Sequence, residues 1–136
     1  LKSAPGYPDR IKNHCLAILE YPHATATIRA CSQETDGLGV RRFKLCGTKG
    51  SVEWCPIERF DGQPLLMDLV LKEAVPGYSA GVHNINFGII RDRYENQLLE
   101  FAAIINGQIA NPYSYEHDYL AHKVIMAASG YTTWRQ

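Results

Sequence analysis

Asp92-Arg-Tyr-Glu-Asn-Gln-Leu-Leu-Glu-Phe-Ala-Ala-Ile-Ile-Asn-Gly107, followed by Tyr113-Ser-Tyr-Glu-His-Asp-Tyr-Leu-Ala-His-Lys-Val-Ile-Met-Ala-Ala-Ser-Gly130, is where this chain turns from strand to helix. In the first segment Tyr94, Leu98, Phe101, Ala102 and Ile105 fall on one helical face, with Arg93, Glu95, Asn96 and Glu100 turned mostly outward. Gly107 stops that helix. A second helix is expected after Pro112, with Ser114 as its N-cap and Glu116 and Asp118 in a first turn where carboxylates favour the positive end of the dipole. Its apolar stripe is Leu120, Ala121, Val124, Ala127 and Ala128, and Gly130 ends it.

Upstream, between His14 and Glu73, β-prone runs alternate with turn signals, the pattern of an antiparallel meander. The expected strands are His14 to Tyr21, Ala24 to Gln33, Val40 to Cys46, Ser51 to Cys55 and Leu65 to Lys72. In the second, Ala24, Ala26, Ile28 and Ala30 make one face and Thr25, Thr27 and Arg29 the other. Thr35-Asp36-Gly37-Leu38-Gly39 reads as a loop, and Gly47-Thr48-Lys49-Gly50 as a tight hairpin turn whose end glycines permit positive φ. Asp61-Gly62 and Pro76-Gly77 mark further turns. His83 to Ile89 alternates like a strand, with no place assigned to it. Strands followed by helices predict an α+β fold: a largely antiparallel sheet of five or more strands, with two C-terminal helices packed on one face.

The chain has 136 residues, which suits a single domain spanning 1–136. Fourteen basic side chains balance fourteen acidic ones, so no net field attracts nucleic acid or anionic lipid, and no apolar run reaches the ~18 residues that span a bilayer. Nucleic acid and membrane are therefore not expected as partners. Cys15, Cys31, Cys46 and Cys55 are scattered singly within apolar or β-branched segments, as buried free thiols are, which points to a cytoplasmic protein. The chain opens at Leu1 rather than a methionine, with Pro5, Gly6 and Pro8 as punctuation, and is expected to be cut from a longer protein.

His117, Asp118 and His122 have the residue types for proton transfer or metal binding. His117 and His122 lie five apart, about 140° around a helix, so a His-x-x-x-His zinc pair is excluded. Asp118 and His122 are four apart and can hydrogen-bond, but a plain surface helix with His117 against the sheet explains the cluster as well. No Gly-x-Gly-x-x-Gly occurs; Gly37-Leu38-Gly39 lacks the third glycine and a following helix pattern.

The two closing segments, together with Phe43-Lys-Leu-Cys-Gly-Thr-Lys-Gly-Ser-Val-Glu53, resemble the C-terminal domain of the glucose-fructose oxidoreductase / inositol dehydrogenase / MocA family. The resemblance covers most of Asn13 to Gly130 in order, and includes Arg93-Tyr94 at the start of the penultimate helix, where packing of Tyr94 at the head of the stripe is the simpler role. It implies an NAD- or NADP-dependent dehydrogenase acting on a sugar or polyol hydroxyl, with the nucleotide-binding Rossmann domain outside this chain. The family's catalytic Glu-Lys-Pro lysine and its Asp-x-x-x-His pair precede the first strand seen here. No catalytic, cofactor-binding or metal-binding residue is therefore carried over. Tyr113, Tyr115 and His117, at the loop-to-helix junction, are the candidate sugar-binding residues, because aromatic rings suit apolar sugar faces and polar tips suit hydroxyls. The resemblance further implies a homodimer through the open sheet face. The competing class is a non-enzymatic binding or assembly module that reuses the same sheet.

Overall fold

The computed structural model describes residues 1–8, 10 and 12–134. The chain divides into two compact units, Leu1–Thr35 with Asn106–Gln136, and Asp36–Ile105.

In the first unit the alternating runs form β1 (His14–Tyr21) and β2 (Ala24–Cys31), paired antiparallel from His14 opposite Cys31 to Tyr21 opposite Ala24. The period of two places Cys15, Ala17 and Leu19 on one face with Ala26, Ile28 and Ala30. That face receives the last helix: Cys15 and Leu19 are half-buried, the neighbouring Leu16 and Ile18 are exposed, and the Cys15 thiol donates to the Ala128 carbonyl at 3.6 Å. The row of Thr25, Thr27 and Arg29 therefore turns away from the helix, together with Leu16 and Ile18.

The second unit holds a short helix α1 (Gly37–Val40), then β3 (Phe43–Cys46), β4 (Gly50–Trp54), β5 (Leu66–Leu71), β6 (Gly81–Asn86) and α2 (Glu95–Ile105). The four strands form an antiparallel meander in the order β3-β4-β5-β6, and the unassigned alternation after His83 belongs to β6. α3 (Tyr115–Ala128) closes the chain, back in the first unit.

The α+β class stands, but not the sheet of five or more strands carrying both closing helices. β2 pairs only with β1, and β3 only with β4. The physical reason lies between them, where Asp36 adopts a left-handed φ of 54° and ψ of 43° and leads into α1. Those residues take up the start of the expected third strand, leaving β3 four residues long. α3 packs on β1, but α2 contacts no other named element of its own unit.

Caps and turns follow local chemistry. Ser114, extended at φ −85° and ψ 156°, accepts from the His117 amide at 3.1 Å. Ser114→Ala should cost about 1 kcal/mol in chemical denaturation by leaving that first-turn amide unpartnered; a change within error would mean the cap carries no weight. Gly107 and Gly130 have φ of 68° and 74°, as helix-ending glycines do. The Gly47–Gly50 turn closes through the Gly47 amide on the Gly50 carbonyl at 2.8 Å. Neither glycine sits at positive φ, so the expected reason for them is wrong. At Gly50 the reason is space: a Cβ there would collide with the Val70 carbonyl on β5.

The register gives the meander two unlike faces. Phe43, Trp54, Met67 and Ile85 form one cross-strand row, and Leu45, Val52, Leu69 and His83 the next on the same side. The opposite side carries Lys44, Glu53, Asp68 and Asn84, tied by a Lys44–Glu53 ion pair at 2.9 Å and an Asn84–Asp68 hydrogen bond at 2.9 Å. Beyond the strands, Arg59 grips Asp61 through Nε at 2.9 Å and Nη2 at 2.6 Å. That hydrogen bonding holds the Asp61 carboxyl down from its ordinary 3.8 to about 2, and Lys44 likewise lowers Glu53. A carboxylate with a depressed folded pKa stabilises fully above its unfolded pKa and loses that contribution as pH falls through the folded value. Stability in urea titrations should therefore decline from pH 4.5 towards about 2, and Asp61→Asn with Glu53→Gln should flatten that slope. An unchanged slope in the double variant would remove these two groups from the acid transition.

Little of the apolar surface is enclosed. Among the described residues only Ala4, Leu65 and Met67 are buried. The chain exposes 11199 Å2, whereas two separate folded monomers, each of half its mass, would together expose roughly 8,600 Å2. α3 covers part of one face of the first unit, and in the second unit Leu65 and Met67 are enclosed while Phe43, Leu45 and Phe87 stay about half-exposed.

Candidate functional site

The junction that leads into α3 is set by two side-chain caps in series. Asn111 Oδ1 accepts from the Tyr113 amide at 3.0 Å, and Ser114 then caps the helix. Four-residue spacing stacks His117 beneath Tyr113, their ring centroids 6.2 Å apart and tilted by 36°. Tyr113 and His117 are therefore brought together, as a shallow lip of one aromatic and one imidazole ring. Tyr115 is not part of it, being 91 % exposed.

The side chain of His117 is also mostly exposed and not against the sheet. Its Nδ1 stands 3.4 Å from Asp118 Oδ1, so among the described residues the carboxylate meets its sequence neighbour rather than His122. Such a pair can hold an imidazole in one orientation and hydrogen-bond a hydroxyl through the other nitrogen. It has no enclosing wall to exclude water.

An open cleft of about 650 Å3 exists in the same unit, between β1 and α3, lined by Leu16, Leu19, Tyr21, Leu120, Val124 and Trp134 among others. Its volume suits a small molecule, but Glu20 and Tyr21 are its chief polar side chains, few for a polyhydroxyl ligand. None of Tyr113, Tyr115 and His117 lines it.

In the second unit, a group that sequence reasoning missed centres on Glu58. Its carboxylate accepts from Arg93 Nε and Nη2, both at 2.6 Å, and is also bonded to Arg41 Nη1. Arg93 lies 5.6 Å from the Phe60 ring and 5.8 Å from the Tyr94 ring, cation–π distances that use the guanidinium face while its edge holds Glu58. Asp92 Oδ1 accepts from the Tyr94 and Glu95 amides at 2.7 and 2.9 Å. Arg93 is thus an anchor for the start of α2. Tyr94 is half-exposed and heads no buried stripe, since Leu98, Phe101 and Ile105 are each at least 60 % exposed.

A dinucleotide does not fit the glycine pair. Gly37 and Gly39 follow β2, but the helix they open has four residues, and the Asp36 carboxylate folds against Gly39 where a pyrophosphate would approach. Among the described residues no group of three or more His, Cys, Asp or Glu side chains could hold a metal ion. No described helix is long and apolar enough to cross a membrane. Of the four free cysteines Cys15 and Cys31 are half-buried, whereas Cys46 and Cys55 are exposed and not core residues.

Compared with known protein families, curated proteins and solved structures, the chain matches none.

Proposed function

We propose that this chain is the substrate and assembly domain of a cytoplasmic, nicotinamide-dependent oxidoreductase that moves hydride between the cofactor and a carbon bearing a sugar or polyol hydroxyl. The observation that carries the reading is the run of resembling segments, Phe43–Glu53 and then Asp92–Gly130, in family order. The first makes the β3–β4 hairpin and the second the capped α3. The Tyr113–His117 lip supports a sugar-facing role, because a ring face and an imidazole edge suit the two kinds of surface a sugar presents. The exposed thiols of Cys46 and Cys55 suit a reducing compartment.

In this reading the cofactor is held by a nucleotide-binding domain outside these residues, and the chain alone catalyses nothing. The apolar face of the meander pairs with its own copy in a second subunit. Titration calorimetry of the chain with NAD and NADP should be flat, and a micromolar dissociation constant would overturn the division of labour. The reading frame on either side is the second test: a Gly-x-Gly-x-x-Gly strand-turn-helix and a Glu-Lys-Pro motif support the enzyme. Their absence from the full frame would favour a non-enzymatic assembly module, the reading that the open setting of Tyr115 and His117 favours.

A further inference from the structure

His14 and Cys31 stand directly opposite each other on β1 and β2, and His14 Nε2 lies 3.8 Å from the Cys31 sulfur. The backbone pins this pair from both sides. Lys2 bridges His14 on its other edge, with reciprocal amide–carbonyl bonds of 2.9 and 3.0 Å, and the Ser32 amide donates to the Asn13 carbonyl at 3.0 Å. In an antiparallel pairing opposite residues share a face, so Lys2, His14 and Cys31 form one row. It lies on the face turned away from α3, the face that also carries Arg29, which is paired with Glu34 at 3.0 Å. An imidazole in contact with a half-buried thiol is the arrangement that activates a cysteine as a nucleophile.

The other three thiols lack this arrangement. Cys15 points to the opposite face and donates to the Ala128 carbonyl. Cys46 is exposed, with no hydrogen bond to a base among the described residues. Cys55 has the Arg42 Nη2 at 3.9 Å, but a guanidinium takes no proton, and Arg42 is shared with Glu53 at 3.0 Å.

We propose that Cys31, with His14 as its proton acceptor, is a modification site of this chain: a nucleophilic thiol that reacts with small uncharged electrophiles, of which a hydroperoxide is the oxidising class. The imidazole takes the thiol proton and the sulfur attacks the near oxygen of the peroxide. The O–O bond breaks, a sulfur–oxygen bond forms, and the departing hydroxide or alkoxide recovers the proton from the imidazolium. The thiol becomes a sulfenic acid, the peroxide is reduced to water or an alcohol, and His14 is returned neutral. Cys15 lies on the other face of the hairpin, so a sulfenic acid at Cys31 does not close a disulfide with it.

Accessibility and proton transfer make opposite forecasts, which is what makes the test decisive. Limiting iodoacetamide at neutral pH, followed by mass spectrometry of the peptides, should alkylate half-buried Cys31 several-fold faster than exposed Cys46 and Cys55. His14→Asn should bring Cys31 below both while leaving their rates unchanged. In denaturant the four thiols of the unsubstituted chain should react alike, so the native-to-denatured ratio for Cys31 tests the assignment without any substitution. Hydrogen peroxide with dimedone should place the sulfenic-acid adduct on Cys31. Faster labelling of Cys46 or Cys55 in the native chain, or a Cys31 rate indifferent to His14→Asn, would overturn it.

Discussion

Light scattering at micromolar concentration should report twice the 15.3 kDa mass of the chain, because α2, in the same unit, does not pack on the apolar face of the meander. Phe43 and Leu45, on the edge strand β3, are 49 % and 53 % exposed, and Phe87, whose ring lies 6.2 Å from Trp54, is also about half-exposed. Met67, in the middle of this face, is buried, so the exposed apolar part is the β3 edge, Phe43 and Leu45, together with Phe87, the kind of patch that a partner subunit covers. A twofold contact is self-complementary, so residues near the axis meet their own copies. Leu45→Glu therefore sets two carboxylates against each other or against apolar rings, and should raise the dissociation constant by at least about a hundredfold, roughly 2.7 kcal/mol. Leu45 is half-exposed in the monomer, so the substitution should leave the fold intact by circular dichroism. A strictly monomeric mass for the unsubstituted chain would instead assign the face to another partner.

Gly50→Ala should destabilise the chain by about 3 kcal/mol, a large effect for one methyl group. Gly50 opens β4 opposite Leu71, and its backbone passes so close to β5 that an added Cβ would meet the Val70 carbonyl and press on the Leu71 side chain at 3.2 Å. A carbonyl engaged in a sheet cannot rotate away as a flexible side chain can, so the strands must separate or shift. Gly47 is the internal control, since a Cβ there finds only the Gly50 carbonyl at 3.6 Å, an ordinary contact. Gly47→Ala should shift the urea midpoint little, within about 0.5 kcal/mol. Equal costs at the two glycines would mean that turn conformation, not the approach of β5, sets the requirement.

The features legible in the sequence are those decided within a few residues of chain. β1 runs from His14 to Tyr21 as its alternation indicates, Ser114 caps α3 through an amide three residues on, and Gly107 and Gly130 adopt the left-handed φ that ends a helix. The Gly47–Gly50 turn also falls in place. Each depends on backbone geometry and hydrogen bonds that neighbours supply, so local residue type suffices.

Long-range pairing was not legible. Glu58 meets Arg41 and Arg93 across 17 and 35 residues, and nothing in the periodicity of any one segment marks that meeting. The division of the strands into two sheets depends on whether β3, paired with β4 on one edge, also offers its other edge to β2, and the turn at Asp36 with α1 lies between those two strands. Sequence alone determined β1, the hairpin turn and the ends of the two closing helices, because those follow from sterics and short-range bonds, but not α1, the start of β3 or β6. Only the tertiary structure decided that α3 packs on the Cys15, Ala17 and Leu19 face of β1, that α2 is held by its N-terminus with its stripe uncovered, and that Cys31 faces a histidine. These outcomes turn on which surfaces meet, and several surfaces in this chain are equally apolar.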